Sequence, residues 1–313
     1  MRRFLLDLLL FSLVALAAHA VLVTIAGTCS PAGGELNLRY LVANDQMLLN
    51  RVREAAELPP TKILVLGSSH AYRGMDPRVF AAHDLRIFNL GSAGQTPLQM
   101  EALLRHHLAA RAPRLTLIET YPEVFTHRGI ECTLDLLANE RLGADVVCVA
   151  LRTMDITVWN TLLYTSIREA FGPPKPMPAP TVATNGDRYV SGGFVEHHES
   201  GFTSKRSEPF HEWRPLPEQL ETLRRVVGTL QQAGSRVVLF RAPVLPGNRY
   251  APEVEARIDS TLSAMPGVPY YDLSELFAPT DTALFYDDHH LDQQGVERFN
   301  AELIRQLRED GVL

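Results

Sequence analysis

Two stretches of this 313-residue chain bring together a nucleophile, a base and a carboxylate. In Lys62-Ile-Leu-Val-Leu-Gly-Ser-Ser-His70, two hydroxyls and an imidazole follow four apolar residues and a glycine. The second stretch is Tyr286-Asp-Asp-His-His-Leu-Asp-Gln-Gln-Gly295. Asp287 and His290 stand three apart there. In a turn, the carboxylate can accept from one imidazole nitrogen and fix the tautomer while the other nitrogen takes a serine proton. That arrangement carries out acyl transfer through a serine ester. Two other readings use the same residues. One is a glycine-serine turn and a solvated histidine loop without chemistry. The other is a metal-dependent hydrolase with His289, His290 and Asp287 as ligands. A serine-bearing turn elsewhere in the chain, able to complete a triad, favours acyl transfer.

The surrounding pattern predicts how these residues are held. Ile63 to Leu66 reads as a buried strand, and Asp76-Pro77 as an N-cap and first-turn proline opening a helix. Further strands are expected at 86–90, 114–118, 236–240 and, more weakly, 268–271. A helix carrying Leu98, Leu103, Leu104 and Leu108 follows the second strand. Strand and helix alternating in this way predict βαβ units and a parallel sheet, with ligands at the carboxyl ends of its strands. Residues 126–171 read as helical. Residues 172–217, with Pro-Pro, Asn-Gly and Gly-Gly and few periodic apolar positions, read as an insertion over the active edge or a disordered loop. Leu220, Leu223, Val226, Val227 and Leu230 line one face of a helix that Gly234 ends. The last helix carries Val296, Phe299, Leu303 and Leu307. His106-His107 and His197-His198 read as surface features. There is no internal repeat and no glycine-rich phosphate loop.

Composition narrows the class. A net charge of −6 without a long basic run argues against nucleic acid as a partner. Of the three cysteines, Cys132 and Cys148 can pair in an oxidising compartment, leaving Cys29 odd. Arg2-Arg3 precedes an apolar stretch from Leu8 to Gly27, whose length as a helix is about 30 Å, the thickness of a bilayer core. This predicts a single-pass inner-membrane protein with residues 1–7 cytoplasmic, 8–27 spanning and the remainder extracytoplasmic or periplasmic. The competing reading is a signal peptide cleaved after Ala18-His-Ala20. Residues 28–59 are then a linker with a helix from about Glu35 to Glu57, and 60–313 form the main domain.

Gly67-Ser-Ser69, Asn89-x4-Gly94 and Asp287-x2-His290 with Leu291-x3-Gly295 resemble blocks one, two and five of the SGNH (GDSL-type) hydrolase superfamily. The resemblance implies a flavodoxin-like three-layer α/β fold with about five parallel strands and no cofactor. It implies Ser69 as nucleophile, His290 as base, Asp287 as its orienter, and backbone amides of Ser69 and Gly94 as oxyanion donors. His70, Asn89, Tyr121 and Glu123 are candidate substrate contacts. The family's third block normally supplies an asparagine; here the third strand runs into Glu119-Thr-Tyr-Pro-Glu123 instead. This ending and the N-terminal anchor resemble an envelope branch that includes D-alanyl transfer and alginate O-acetylation proteins. That branch implies an acyltransferase or esterase working on an exported polysaccharide beside a membrane-bound O-acyltransferase. The missing asparagine leaves a non-catalytic glycan-binding or scaffold protein as the alternative.

Overall fold

The three apolar runs at 63–66, 115–119 and 236–241 form the middle of one sheet, and almost every residue in them is buried. Both faces are covered, so these strands read as continuous apolar runs and not as alternating ones. The structure is a computed structural model describing residues 1–30, 37–57, 59–111, 113–172, 175, 178–197 and 210–313.

In chain order, α1 (Arg2–Cys29) and α2 (Leu48–Glu57) lead to β1 (Ile63–Leu66). Two short helices, α3 (Ser69–Gly74) and α4 (Pro77–Ala81), precede β2 (Ile87–Asn89), and α5 (Pro97–Arg111) precedes β3 (Leu115–Glu119). Then come α6 (Ile130–Asn139), α7 (Ala144–Arg152), α8 (Ile156–Phe171) and a hairpin of β4 (Arg188–Val190) and β5 (Phe194–Glu196). The chain ends with α9 (Pro217–Gln232), β6 (Arg236–Arg241), α10 (Pro252–Ser263), β7 (Tyr270–Asp272) and α11 (Gln293–Glu309).

The main sheet has the order β2-β1-β3-β6-β7 with every pair parallel. This is the flavodoxin-like order, and its topological switch point lies at the carboxyl ends of β1 and β3. The expected fold class is therefore observed. Phe299, Leu303 and Leu307 of α11 pack in one core with Val65, Leu117 and Phe240 of the strands.

The chain divides into two compact units, 1–42 with 133–177 and 43–132 with 178–313. In the first, the far end of α1 packs on α8. His19 Nε2 lies 3.0 Å from Asn160 Oδ1, and Val23 shares a core with Leu38, Tyr40 and Tyr164. Gly27 is needed there, because a Cβ would fall 2.5 Å from the Tyr164 ring.

Several expectations are corrected. The helix expected from about Glu35 covers only Leu48–Glu57, since Asn37, Ala43 and Met47 take positive φ, which a helix cannot contain; residues 31–36 lie outside the described residues. The 172–217 segment contains the hairpin, although 173–174, 176–177 and 198–209 lie outside the described residues. None of the three cysteines is in a disulfide: Cys132 is buried, its thiol donating to the Gly129 carbonyl, while Cys148 is exposed.

Candidate active site

Ser69 is delivered by a tight exit from β1. Gly67 has φ +142°, a region glycine enters freely, and a Cβ there would lie 2.5 Å from the Cβ of Glu119. Its N–H donates to Gln95 Oε1 at 3.1 Å, which fixes the turn. Ser68 then caps α3, its hydroxyl accepting from the His70 N–H at 3.2 Å. Ser69 is thus the first residue of α3, half-buried, and its N–H belongs to the first turn, where helical amides lack intrahelical acceptors.

His290 and Asp287 come from the loop between β7 and α11. Asp287 Oδ1 accepts from the backbone N–H of His289 (2.9 Å) and His290 (2.7 Å), so one carboxylate oxygen shapes the turn. Its Oδ2 lies 2.7 Å from His290 Nδ1, and His290 Nε2 lies 2.7 Å from Ser69 Oγ. The three side chains expected to meet do so at the carboxyl edge of the sheet. With Nδ1–H donated to Asp287, Nε2 is left to accept from the serine. Burial, the largest influence on His290, drives its pKa down to about 4 against the opposing hydrogen bond to Asp287. Burial pushes Asp287 up, but the hydrogen bond and charge of His290, with His289, hold its carboxyl well below the usual range.

A second network lies behind the first. Glu119, closing β3, is buried and accepts from the Ser68 hydroxyl (2.7 Å) and N–H (2.9 Å). The same hydroxyl is 3.1 Å from His70 Nδ1. Burial raises Glu119 to about 7, against the bonds from Ser68. Sequence reasoning gave Glu119 and Ser68 no role; the only signal was an acidic residue ending a largely apolar strand.

His70 is 4% exposed, and burial pushes its pKa well below the ordinary value. Its ring lies 4.3 Å from that of Tyr121, 5.1 Å from His290 and 5.3 Å from His289. His70 and Tyr121 therefore wall the site. Asn89 does not: it is fully buried, donating to the Ala71 carbonyl (2.7 Å) and accepting from the Gly91 N–H (2.9 Å). A side chain consumed by the backbone cannot contact substrate. Glu123 is engaged by the Tyr250 hydroxyl at 3.1 Å and by Thr126. Gly94 sits in the turn before α5 with φ +55°.

His197 is no surface feature. Its Nδ1 is 2.6 Å from Asp187, and its ring stacks 3.8 Å from that of Tyr286, next to Asp287. Among the described residues, three imidazoles within ligating reach of one another are His70, His289 and His290, whose nitrogens fall within 4.8 Å. The expected metal set is thereby corrected, because Asp287 is turned onto His290 Nδ1 and the His289 and His290 amides.

No family model matches the sequence, and none of the curated proteins matches it. Solved structures similar to the chain include a "putative acylhydrolase" of Bacteroides fragilis NCTC 9343. It is 16% identical with a TM-score of 0.40, covering 84% of this chain and 97% of that one. A GDSL-like lipase of Bacteroides thetaiotaomicron VPI-5482 is 12% identical with a TM-score of 0.39, covering 83% and 98%.

Proposed function

We propose that this chain is a serine esterase or O-acyltransferase of the SGNH type, working outside the cytoplasmic membrane on an exported envelope polysaccharide. The observation that carries the proposal is the hydrogen-bonded chain Ser69–His290–Asp287, with both contacts at 2.7 Å. His290 takes the Ser69 proton as Oγ attacks an ester carbonyl, and the Ser69 and Gly94 amides receive the tetrahedral oxyanion. His290 then returns the proton to the departing alcohol, leaving an acyl-serine. Water or a sugar hydroxyl, deprotonated by the same imidazole, attacks that ester and frees Ser69. Asp287 keeps the imidazole in the required tautomer and offsets its charge when it is protonated.

The metal-dependent reading has its own support in the grouping of His70, His289 and His290. A metal bound by His290 Nε2 would have to displace Ser69 from it, at the cost of a hydrogen bond of 2.7 Å. A membrane-bound O-acyltransferase is the natural acyl source for a transferase held at the bilayer by α1. The test is a fluorophosphonate probe followed by an acceptor assay. Labelling of the native protein and not of Ser69→Ala, unaffected by a chelator, supports the serine reading over the metal and scaffold alternatives. Acyl transfer to a polysaccharide exceeding release to water supports the transferase over the esterase.

A further inference from the structure

The first part of α1 is bare on all sides, but it does not reach across a membrane by itself. From Phe4 to Ala18 there are 15 residues, or about 22 Å of helix, against a hydrocarbon core of about 30 Å. Counting from Leu8, beyond Asp7, leaves still less. From His19 onward one face of α1 is covered, His19 meeting Asn160 and Gly27 lying against Tyr164, while Val21, Leu22 and Ile25 on the rest of it stay 57%, 62% and 56% exposed. These contacts advance together along both helices, so α1 and α8 run parallel and the first turn of α8 points toward the membrane end of α1.

That first turn carries an unusual surface. Leu151, Met154, Ile156 and Trp159 are 53%, 64%, 52% and 37% exposed, around the turn joining α7 to α8. Two charges lie among them, Arg152 and Asp155, and the Asp155 carboxylate accepts from the Thr157 (2.8 Å) and Val158 (3.1 Å) amides of the helix end. A tryptophan beside aliphatic residues at this level is what a membrane–water boundary selects.

We infer that the α7–α8 turn is embedded in the outer leaflet, so that the bilayer is crossed by α1 alone on the cytoplasmic side and by the α1–α8 pair on the other. The occupant of the apolar surface is lipid, because a full crossing of about 30 Å takes in the part of α1 beside the first turn of α8, and the turn continues the exposed apolar face of α1 there. Unit 1 is then a foot that fixes the anchor's depth and rotation. This rests on the reading of α1 as an uncleaved anchor.

The test uses the full chain in liposomes containing lipids brominated at defined acyl positions. The chain has two tryptophans, Trp159 and Trp213, and Trp213 is only 2% exposed, with its indole N–H on the Pro122 carbonyl. Bromolipid should quench the emission of the native protein, and Trp159→Phe should remove most of that quenching. The conservative variant alters an exposed position, so folding is preserved. Bromolipid quenching that W159F leaves unchanged, or a Trp159 contribution quenched by aqueous iodide and not by bromolipid, overturns the inference. Carbonate extraction separates the two failures: an extractable protein refutes the anchor and the foot together, whereas a resistant one with unquenched Trp159 refutes the foot alone.

Discussion

Ser68 and Ser69 are neighbours in the chain, yet their hydroxyls serve different networks: Ser69 Oγ lies 2.7 Å from His290 Nε2, and Ser68 Oγ 2.7 Å from Glu119 Oε2. The split follows from position. One is the cap of α3 and turns back over the helix end and the sheet; the other is its first residue and faces the loop after β7.

The two serines should therefore fail differently. Ser69→Ala is expected to abolish probe labelling and lower ester turnover by at least about 10³-fold. Ser68→Ala leaves Glu119 without its hydroxyl partner and should cost about 1–3 kcal/mol of stability while labelling persists. Mass spectrometry of labelled protein and thermal melts check both. Label on Ser68 in the native protein would assign the nucleophile wrongly by one residue.

The acid limb of activity reports His290. Burial places its pKa near 4, so the imidazole is the neutral base through pH 6 to 8, and kcat/KM should halve near pH 4. Stability runs the same way. The unfolded chain binds the proton at an ordinary 6.5 and the native one only near 4, so acidification through that window weakens the fold. A limb centred at 6.5 would contradict the buried environment. Asp287→Asn should lower turnover by on the order of 10³–10⁴ through loss of the tautomer.

Much of this site was legible because its members sit at strand ends. The apolar runs at 63–66, 115–118 and 236–240 announced the central strands, and a parallel sheet brings their carboxyl ends to one edge. Ser69 and His290, 221 residues apart, could thus be joined without knowing any contact. Other features carried no local signal. Six residues, 69–74, are too few for helical periodicity, so α3 read as a turn. The hairpin strands are three residues each, and their pairing is tertiary in origin. Asn89 resembled a site residue by spacing, but two backbone groups claim its amide. The tie between Ser68 and Glu119 spans 51 residues and concerns two side chains that no alternation pattern singles out.

Glu119 gives a stability test with a definite sign. Its folded pKa of about 7 exceeds the ordinary 4.5, so the native state keeps a proton that the unfolded chain releases. Stability should fall as pH rises from about 4.5 to 7, by about 3 kcal/mol in all. Glu119→Gln still offers an acceptor to Ser68 and should flatten that slope. Unfolding curves across this pH range, compared with wild type, decide it; an unchanged slope in the variant would mean another group titrates.

The last prediction concerns Asp187, which ties the serine's helix to the segment packed on the histidine's loop. Its buried carboxylate lies 2.7 Å from Arg73 of α3 and 2.6 Å from His197, whose ring stacks on Tyr286. Asp187→Asn keeps the volume but leaves the Arg73 guanidinium, 12% exposed, without its counter-charge. Breaking such a pair from one side costs about 3 kcal/mol or more, whereas removing both charges together restores much of it. Arg73 already opposes protonation of His290, so its uncompensated charge should also move the acid limb to lower pH. The expected pattern is a less stable protein with turnover reduced about 10-fold and a limb displaced downward. Arg73→Met in the same chain should recover stability and return the limb toward its starting place. A limb that stays fixed while stability falls would leave Asp187 a purely structural residue, without influence on the base.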